Sequence, residues 1–266
     1  MKDCNGVGTP MLEIDRDRIV SAHSPVLDED SKQKYQQLIG CLLYLMHCTR
    51  PNIAYSIIRL SQFTSRPEKH HLDALKHVLR YLKATRTTTL ALGKRSEVVL
   101  QRYFDSAHAD GIEKQSTSGY VFLFHGSLIS WQSKVQKVIA LFSTEAEYVA
   151  ASEAGWELVW LRGLLQNMGM DVPPTVIYGD NMGSNALTRN PEFHQRTKHI
   201  ELRQCFITSL VTNGSVQVQY IPSNAMLADS LTKPLSKDQH ELHWDLMGLS
   251  LKYEEKKGKR KFEEIS

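Results

Sequence analysis

Cysteine is scarce in this sequence, and the four present, Cys4, Cys41, Cys48 and Cys205, include no C-x-x-C pair. That spacing argues against a zinc knuckle and against a disulfide framework, and it fits a reducing compartment. Long apolar runs are missing too. No stretch approaches the roughly 20 residues of a membrane-spanning helix, and the opening MKDCNGVGTPMLEIDRD has no signal-peptide core. A soluble intracellular chain with no membrane partner is the expectation. Neither sign of charge dominates, since 32 basic residues face 29 acidic ones for a net +3. Such a balance is compatible with nucleic acid without requiring it. No internal repeat is visible. What remains is an ordinary globular composition, 41% hydrophobic over 266 residues. That length allows one large domain or two modest ones.

The chain carries two blocks of periodicity. Over residues 31–49, Tyr35, Leu38, Leu42 and Leu45 recur at helical spacing. A second helix is predicted over 50–65, with Pro51 in its first turn. A third, over 66–86, lines up Leu72, Leu75, Val78, Leu79 and Leu82 on one face. Its other face carries Lys76, Arg80 and Lys83, which suit a phosphate backbone or a merely solvated surface. Past residue 95 the pattern changes. VVLQRYFDSAH, SGYVFLF and SLISWQS read as strands, the last two joined by the turn HGS. A helix over roughly 144–168 follows, then the strand TVIYGD, a helix from about 181 and a helix TKHIELRQCFITSLVTNG. The strand VQVQYIP and a helix SNAMLADSLTKPL complete the block. Antiparallel strands followed by alternating strands and helices indicate an α/β fold, a mixed five-stranded sheet with flanking helices. The divisions read as 1–95, helical; 96–250, the sheet domain; and 251–266, a charged and disordered tail. Within that tail, KKGKRK reads either as a nuclear address or as solvated charge.

Carboxylates fall at four places where this topology would gather them, one of them offering two glutamates. Glu145 and Glu147 open the helix in LFSTEAEYVAA, where Thr144 and Glu147 have the spacing of a capping box. Asp105 lies in a strand beside Tyr103 and Phe104, and an acid there needs a partner. Asp180 ends a strand and opens a helix, so it reads as a site residue or as a helix cap. Asp229 reads as a site residue or as an exposed helix acid. Two such charges near 4 Å repel by roughly 4 kcal/mol at an effective dielectric of about 20. The acids must therefore take up protons or bind divalent cations, and all-oxygen ligands select Mg²⁺ or Mn²⁺.

The segment from YFDSAHADG through FSTEAEYVAA to WLRGLL resembles the ribonuclease H domain of copia-type LTR retrotransposon Pol polyproteins. VIYGDNMGSNALTRNPEFHQRTKHIELRQCFI and VQVQYIPSNAMLADSLTKPL continue the resemblance. Upstream, YQQLIGCLLYLMHCTRPNIAYSIIRLSQF and HLDALKHVLRYLKAT resemble the thumb and connection that end the reverse transcriptase. The resemblance implies an RNase H-like fold for 96–250 and a D-E-D-D site of Asp105, Glu147, Asp180 and Asp229. Glu145, about 200° around the helix from Glu147, is then the spare and suits solvent. Two Mg²⁺ or Mn²⁺ ions are implied, one on Asp105 and Glu147, the other on Asp105, Asp180 and Asp229. The implied activity is endonucleolytic hydrolysis of the RNA strand of RNA–DNA hybrids, leaving a 3′-hydroxyl and a 5′-phosphate. Lys134, Lys137, Arg196 and Lys198 are candidates for phosphate contacts. His194 and His199 are either substrate contacts or structural residues at a helix start. The implied setting is a cytoplasmic virus-like particle, or the nucleus, with the rest of Pol as a partner.

The sequence departs from the family pattern in places. Ala107 and His108 stand where relatives often have an acid and an aromatic, and Gly179 replaces a common cysteine. YIPSNAMLAD has no counterpart to the histidine that many cellular ribonucleases H carry before the last acid. No Asp-Asp pair of the reverse transcriptase type occurs, so no polymerase activity is expected. A second class of function stays open: an inactive fragment that binds hybrid, or pairs with an intact reverse transcriptase, without cutting.

Overall fold

A computed structural model describes residues 4–93, 100–170, 172–189 and 206–251. The first block contains α1 (Glu13–Ser21), α2 (Glu29–Cys48), α3 (Ala54–Ser61) and α4 (Lys69–Ala84), then a short strand β1 (Thr88–Leu90). The second runs β2 (Leu100–Ala107), β3 (Thr117–Phe124), β4 (Ser127–Val135) and the long α5 (Ser143–Asn167). After it come β5 (Thr175–Gly179), α6 (Met182–Arg189), α7 (Phe206–Thr212), β6 (Val216–Tyr220), α8 (Lys237–Leu246) and β7 (Leu249–Leu251). The five strands and the long helix expected from the sequence are all present. β1 and β7 pair with each other outside the main sheet.

The main sheet has the order β4-β3-β2-β5-β6. β2, β3 and β4 are antiparallel neighbours, while β2, β5 and β6 run parallel. This is the RNase H-like arrangement, a mixed α/β sheet with helices on both faces. His125 and Gly126 close the β3–β4 hairpin with φ of 46° and 80°. Two positive φ values mark a type I′ turn, whose twist matches the flanking strands.

Each face of the sheet has its own apolar layer. On one, Phe104, Phe122, Ile177 and Val218 pack with Tyr148, Ala151, Leu158 and Ile207 from α5 and α7. Small residues on α5 let it lie close, and Gly155 leaves room for Ile207 and Leu210. On the other, Val121, Leu123 and Leu128 share one cluster with Tyr35, Ile39, Leu42, Ile57, Leu60, Leu75 and Val78 of α2, α3 and α4. The apolar core thus runs across residue 95, and the N-terminal helices cover a sheet face. Polar contacts follow the same seam: Trp131 donates to the Met46 carbonyl at 2.9 Å, and Tyr55 to Asp110 at 3.2 Å.

Three readings change. The helix expected over 223–235 is two 3₁₀ turns, Ser223–Ala225 and Leu227–Leu231, separated at Met226 by an extended ψ of 96°. α1 and α8 have no counterpart in the sequence reading. The basic residues of α4 hold down the N-terminal segment, with Arg80 and Lys83 each donating at 2.8 Å to the carbonyls of Asn5 and Cys4. Lys76 pairs with Asp73. Residues 252–266, including KKGKRK, lie outside the described residues.

Candidate metal centre

The parallel pairing of β2 with β5 sets two carboxylates side by side. Tyr103 pairs with Tyr178, so Asp105 and Asp180, each two residues further on, emerge together at the carboxyl ends of neighbouring strands. Such strand ends are where open α/β sheets build sites. Asp180 accepts from the Ser223 hydroxyl at 2.7 Å, and it does not cap α6. Asn181 does that, accepting from the Ser184 N–H at 2.9 Å.

Gly179 makes the end of β5 possible. A Cβ at this position would collide with the ring of Phe104, which is fully buried. The missing cysteine of the family pattern thus has a steric reason here. Gly179→Ala is expected to cost about 1–3 kcal/mol, the usual range for overpacking, read as a lowered urea midpoint. Combining it with Phe104→Leu should recover part of that loss. Strict additivity in this double-mutant cycle would rule out the clash.

α5 contributes Glu147 from its second turn. One Glu147 oxygen accepts from the Ser106 N–H at 3.1 Å, while Oε2 is buried with no hydrogen-bond partner. The Thr144–Glu147 capping box does not form, because the N-cap of α5 is Phe142. Glu145 reverses its expected place: it is 5% exposed, and its carboxylate accepts from the Leu141 N–H at 2.8 Å. Of the two glutamates, Glu145 serves the helix start and Glu147 faces the aspartates.

Asp229 arrives by a different route. Its 3₁₀ turn packs against β3 at Gly119, where a Cβ would lie 2.8 Å from Thr232 and 2.9 Å from Leu231. Gly119 is the cross-strand partner of Asp105, so this close approach brings the turn to the cluster. The Thr232 hydroxyl donates to Asp105, and Lys233 Nζ sits 2.9 Å from Asp229 Oδ2. Asp229 is buried, which removes the exposed-acid reading, and its Oδ1 has no hydrogen-bond partner. Sequence reasoning missed Thr232, Lys233, Ser223 and Gly119. Two faint signals were there: a glycine inside a strand marks close backbone approach, and Lys233 stands four residues after an acid.

Asp105, Glu147 and Asp180 can each turn one oxygen to a common point, with those atoms within 4.8 Å of one another. Burial, then Asp105 and then Asp180, raises the pKa of Glu147 well above the ordinary carboxylate range. Burial and then Asp105 push Asp229 up to about 8, against the opposing pull of Lys233. Burial works against the Lys233 ammonium, yet Asp105, Asp229 and Asp180 raise its pKa on balance. Two buried acids and a half-buried one at this spacing, with an unpartnered oxygen among them, fit a hard divalent cation. Asp229 adjoins Asp105 but stands outside the group of three.

The candidate substrate residues are less gathered. Lys134 is paired with Glu153 of α5. Lys137 is exposed just past the end of β4. His194, Arg196, Lys198 and His199 lie outside the described residues. His108 is structural, its ring Nε2 3.1 Å from the Ala140 carbonyl. Among the described residues, no helix is long and apolar enough to cross a membrane.

No family model matches the chain. It is 41% identical over 220 residues to the retrovirus-related Pol polyprotein from transposon TNT 1-94 of Nicotiana tabacum, covering 82% of this chain and 16% of that protein. The corresponding polyprotein from transposon RE1 of Arabidopsis thaliana is 41% identical over 206 residues, 77% of this chain and 14% of that protein. The ribonuclease H1 of Halobacterium salinarum superposes with a TM-score of 0.31 at 17% identity, over 50% of this chain and 93% of that one. At that score the fold assignment rests on strand order and direction alone. The chain spans about one sixth of the length of these curated relatives or less, and across that span it belongs to the copia-type retrotransposon Pol polyproteins.

Proposed function

We propose that this chain is the ribonuclease H segment of a Pol polyprotein, hydrolysing the RNA strand of RNA–DNA hybrids with Mg²⁺ or Mn²⁺. The observation that carries this reading is the meeting of Glu147 of α5 with Asp105 and Asp180 at adjoining strand ends, with Glu147 Oε2 left unpartnered among the described residues. Those three side chains would hold one ion, and Asp229 with Asp105 would add the second position. A divalent ion bound there supplies acidified water and charge neutralisation at the scissile phosphate. The chain's own contribution is positioning. The Ser106 N–H fixes one Glu147 oxygen, Ser223 holds Asp180, and Thr232 holds Asp105. RNA selectivity would come from 2′-hydroxyl contacts across the shallow minor groove of the hybrid. Lys137 is free to meet phosphate, whereas Lys134 must first leave Glu153. His194, Arg196, Lys198 and His199 keep the roles the resemblance implies, as proposals.

The test is cleavage of a labelled RNA–DNA hybrid with Mg²⁺ or Mn²⁺, beside Asp180→Asn. Cutting of the RNA strand that needs metal and is lost in Asp180→Asn is the expected result. The alternative reading is a segment that binds hybrid without cutting. Hybrid retained on folded protein, with its RNA intact in both metals, would establish that reading instead.

A further inference from the structure

The four acids do not form one equivalent set. Three place oxygens within 4.8 Å of one another, and the fourth is already held by a cation of the chain itself. The holding is built into the local backbone. The N–H groups of Thr232 and Lys233 both donate to the Asp229 carbonyl, at 3.1 and 3.0 Å. That tight turn sets Lys233 one turn beyond Asp229, and Pro234 follows with no N–H to extend it. From there the ammonium lies 2.9 Å from Oδ2 of Asp229. Lys233 keeps 37% side-chain exposure against 8% for Asp229, so its outer side faces solvent.

We propose that Lys233 is the resident counter-cation of the fourth carboxylate, so that the free protein takes one divalent ion, at Asp105, Glu147 and Asp180, and not two. The inference deepens the metal-dependent reading above and rests on it. Charge balance points the same way. With all four acids ionised, Lys233 and one divalent ion leave a single net negative charge, while a second ion would overshoot neutrality before any substrate phosphate arrived. A phosphate approaching from the exposed side offers the ammonium a new partner and releases Asp229. Lys233 is thus a positioning residue, acting through Asp229.

The experiment counts Mn²⁺ bound per folded chain, from the electron paramagnetic resonance signal of free Mn²⁺, with no nucleic acid present. Wild type is expected to bind one ion, Lys233→Gln two, and Lys233→Arg one, because the guanidinium keeps the charge. Adding Asp229→Asn to Lys233→Gln should return the count to one, which locates the second ion. Two ions in wild type, or one in Lys233→Gln, would overturn the inference and leave the metal-centre reading standing. No Mn²⁺ bound by any variant would sink that reading, and the inference with it. Circular dichroism on each variant establishes that the chains counted are folded.

Discussion

Glu147→Gln is expected to act in two opposite directions, stabilising the metal-free protein near pH 8 while removing metal-dependent hybrid cleavage. The reason is that Glu147 is buried beside Asp105 and Asp180, so its charge is costly in the absence of a cation. An acid whose folded pKa lies above its unfolded value keeps a proton that the unfolded chain has lost. Stability therefore falls as pH rises from the ordinary value of 4.5 through the raised one. Asp229 adds the same sign of dependence between 3.8 and about 8. Metal-free wild type should thus melt at a lower temperature at pH 8 than at pH 5, and Mg²⁺ should reverse the drop. Glutamine keeps an oxygen for the Ser106 N–H but carries no charge, so the variant should lose part of the pH dependence. Each kcal/mol recovered raises the melting temperature by about 2–4 °C for a chain near this size. Cleavage should fall by at least about 10²-fold, the scale for removing a group that stabilises transition-state charge. Thermal melts near pH 5 and pH 8, with and without Mg²⁺, check the first half, and the hybrid assay checks the second. Identical melting of variant and wild type at pH 8 without metal would remove the strain ascribed to Glu147.

That strain was only partly legible in the sequence. Short β-branched and aromatic runs, with the HGS turn between two of them, marked the five strands, because each strand carries its own signal. The pairing that sets Asp105 beside Asp180 is a matter of register between segments some 70 residues apart, and no local pattern reveals it. The choice of Glu147 over Glu145 came from family resemblance, since the helix start alone suited either. The structure then gave Glu145 a buried role at Leu141 that its angular position did not suggest. α8 escaped notice because it buries His240, His243 and Trp244, so its inward face does not read as apolar. α1 buries only Ile19, too little for a period to show. The turn carrying Asp229 read as a helix because its residues are good helix formers. Contact with β3 at Gly119 and the extended backbone at Met226 give it another shape. Lys233 offered only its four-residue spacing from an acid, since its meaning depends on where that turn lands.

Arg102→Met is expected to raise the stability of this chain markedly. Arg102 sits on β2 between Leu100 and Phe104, on the face covered by α5, and is fully buried. Among the described residues its three guanidinium nitrogens have no hydrogen-bond partner, and the guanidinium carbon lies 5.9 Å from the centre of the Phe122 ring. A cation–π contact is worth about 2 kcal/mol when desolvated, well below the several kcal/mol that burying an ion costs. Arg162 worsens the balance as a like charge nearby, its own guanidinium being spent on the carbonyls of Ser215 and Val172. Burial first, and Arg162 second, push Arg102 down to about 8. Methionine fills a similar length with no charge and adapts to irregular space. Replacing buried ionic groups by apolar ones of matched volume gains about 1–4 kcal/mol, and each kcal/mol is worth about 2–4 °C. A rise of roughly 5–10 °C in melting temperature is therefore expected. Arg102→Lys serves as the control, because it keeps a buried charge and loses the planar stacking on Phe122, so it should melt no higher than wild type. Asp105 lies three positions along the same strand and so projects from the opposite face, which makes the Mg²⁺-induced shift in melting temperature equal in wild type and Arg102→Met. An unchanged or lowered melting temperature for Arg102→Met would mean that the guanidinium is compensated after all. The burial of an unpaired charge would then cease to account for any part of this chain's stability.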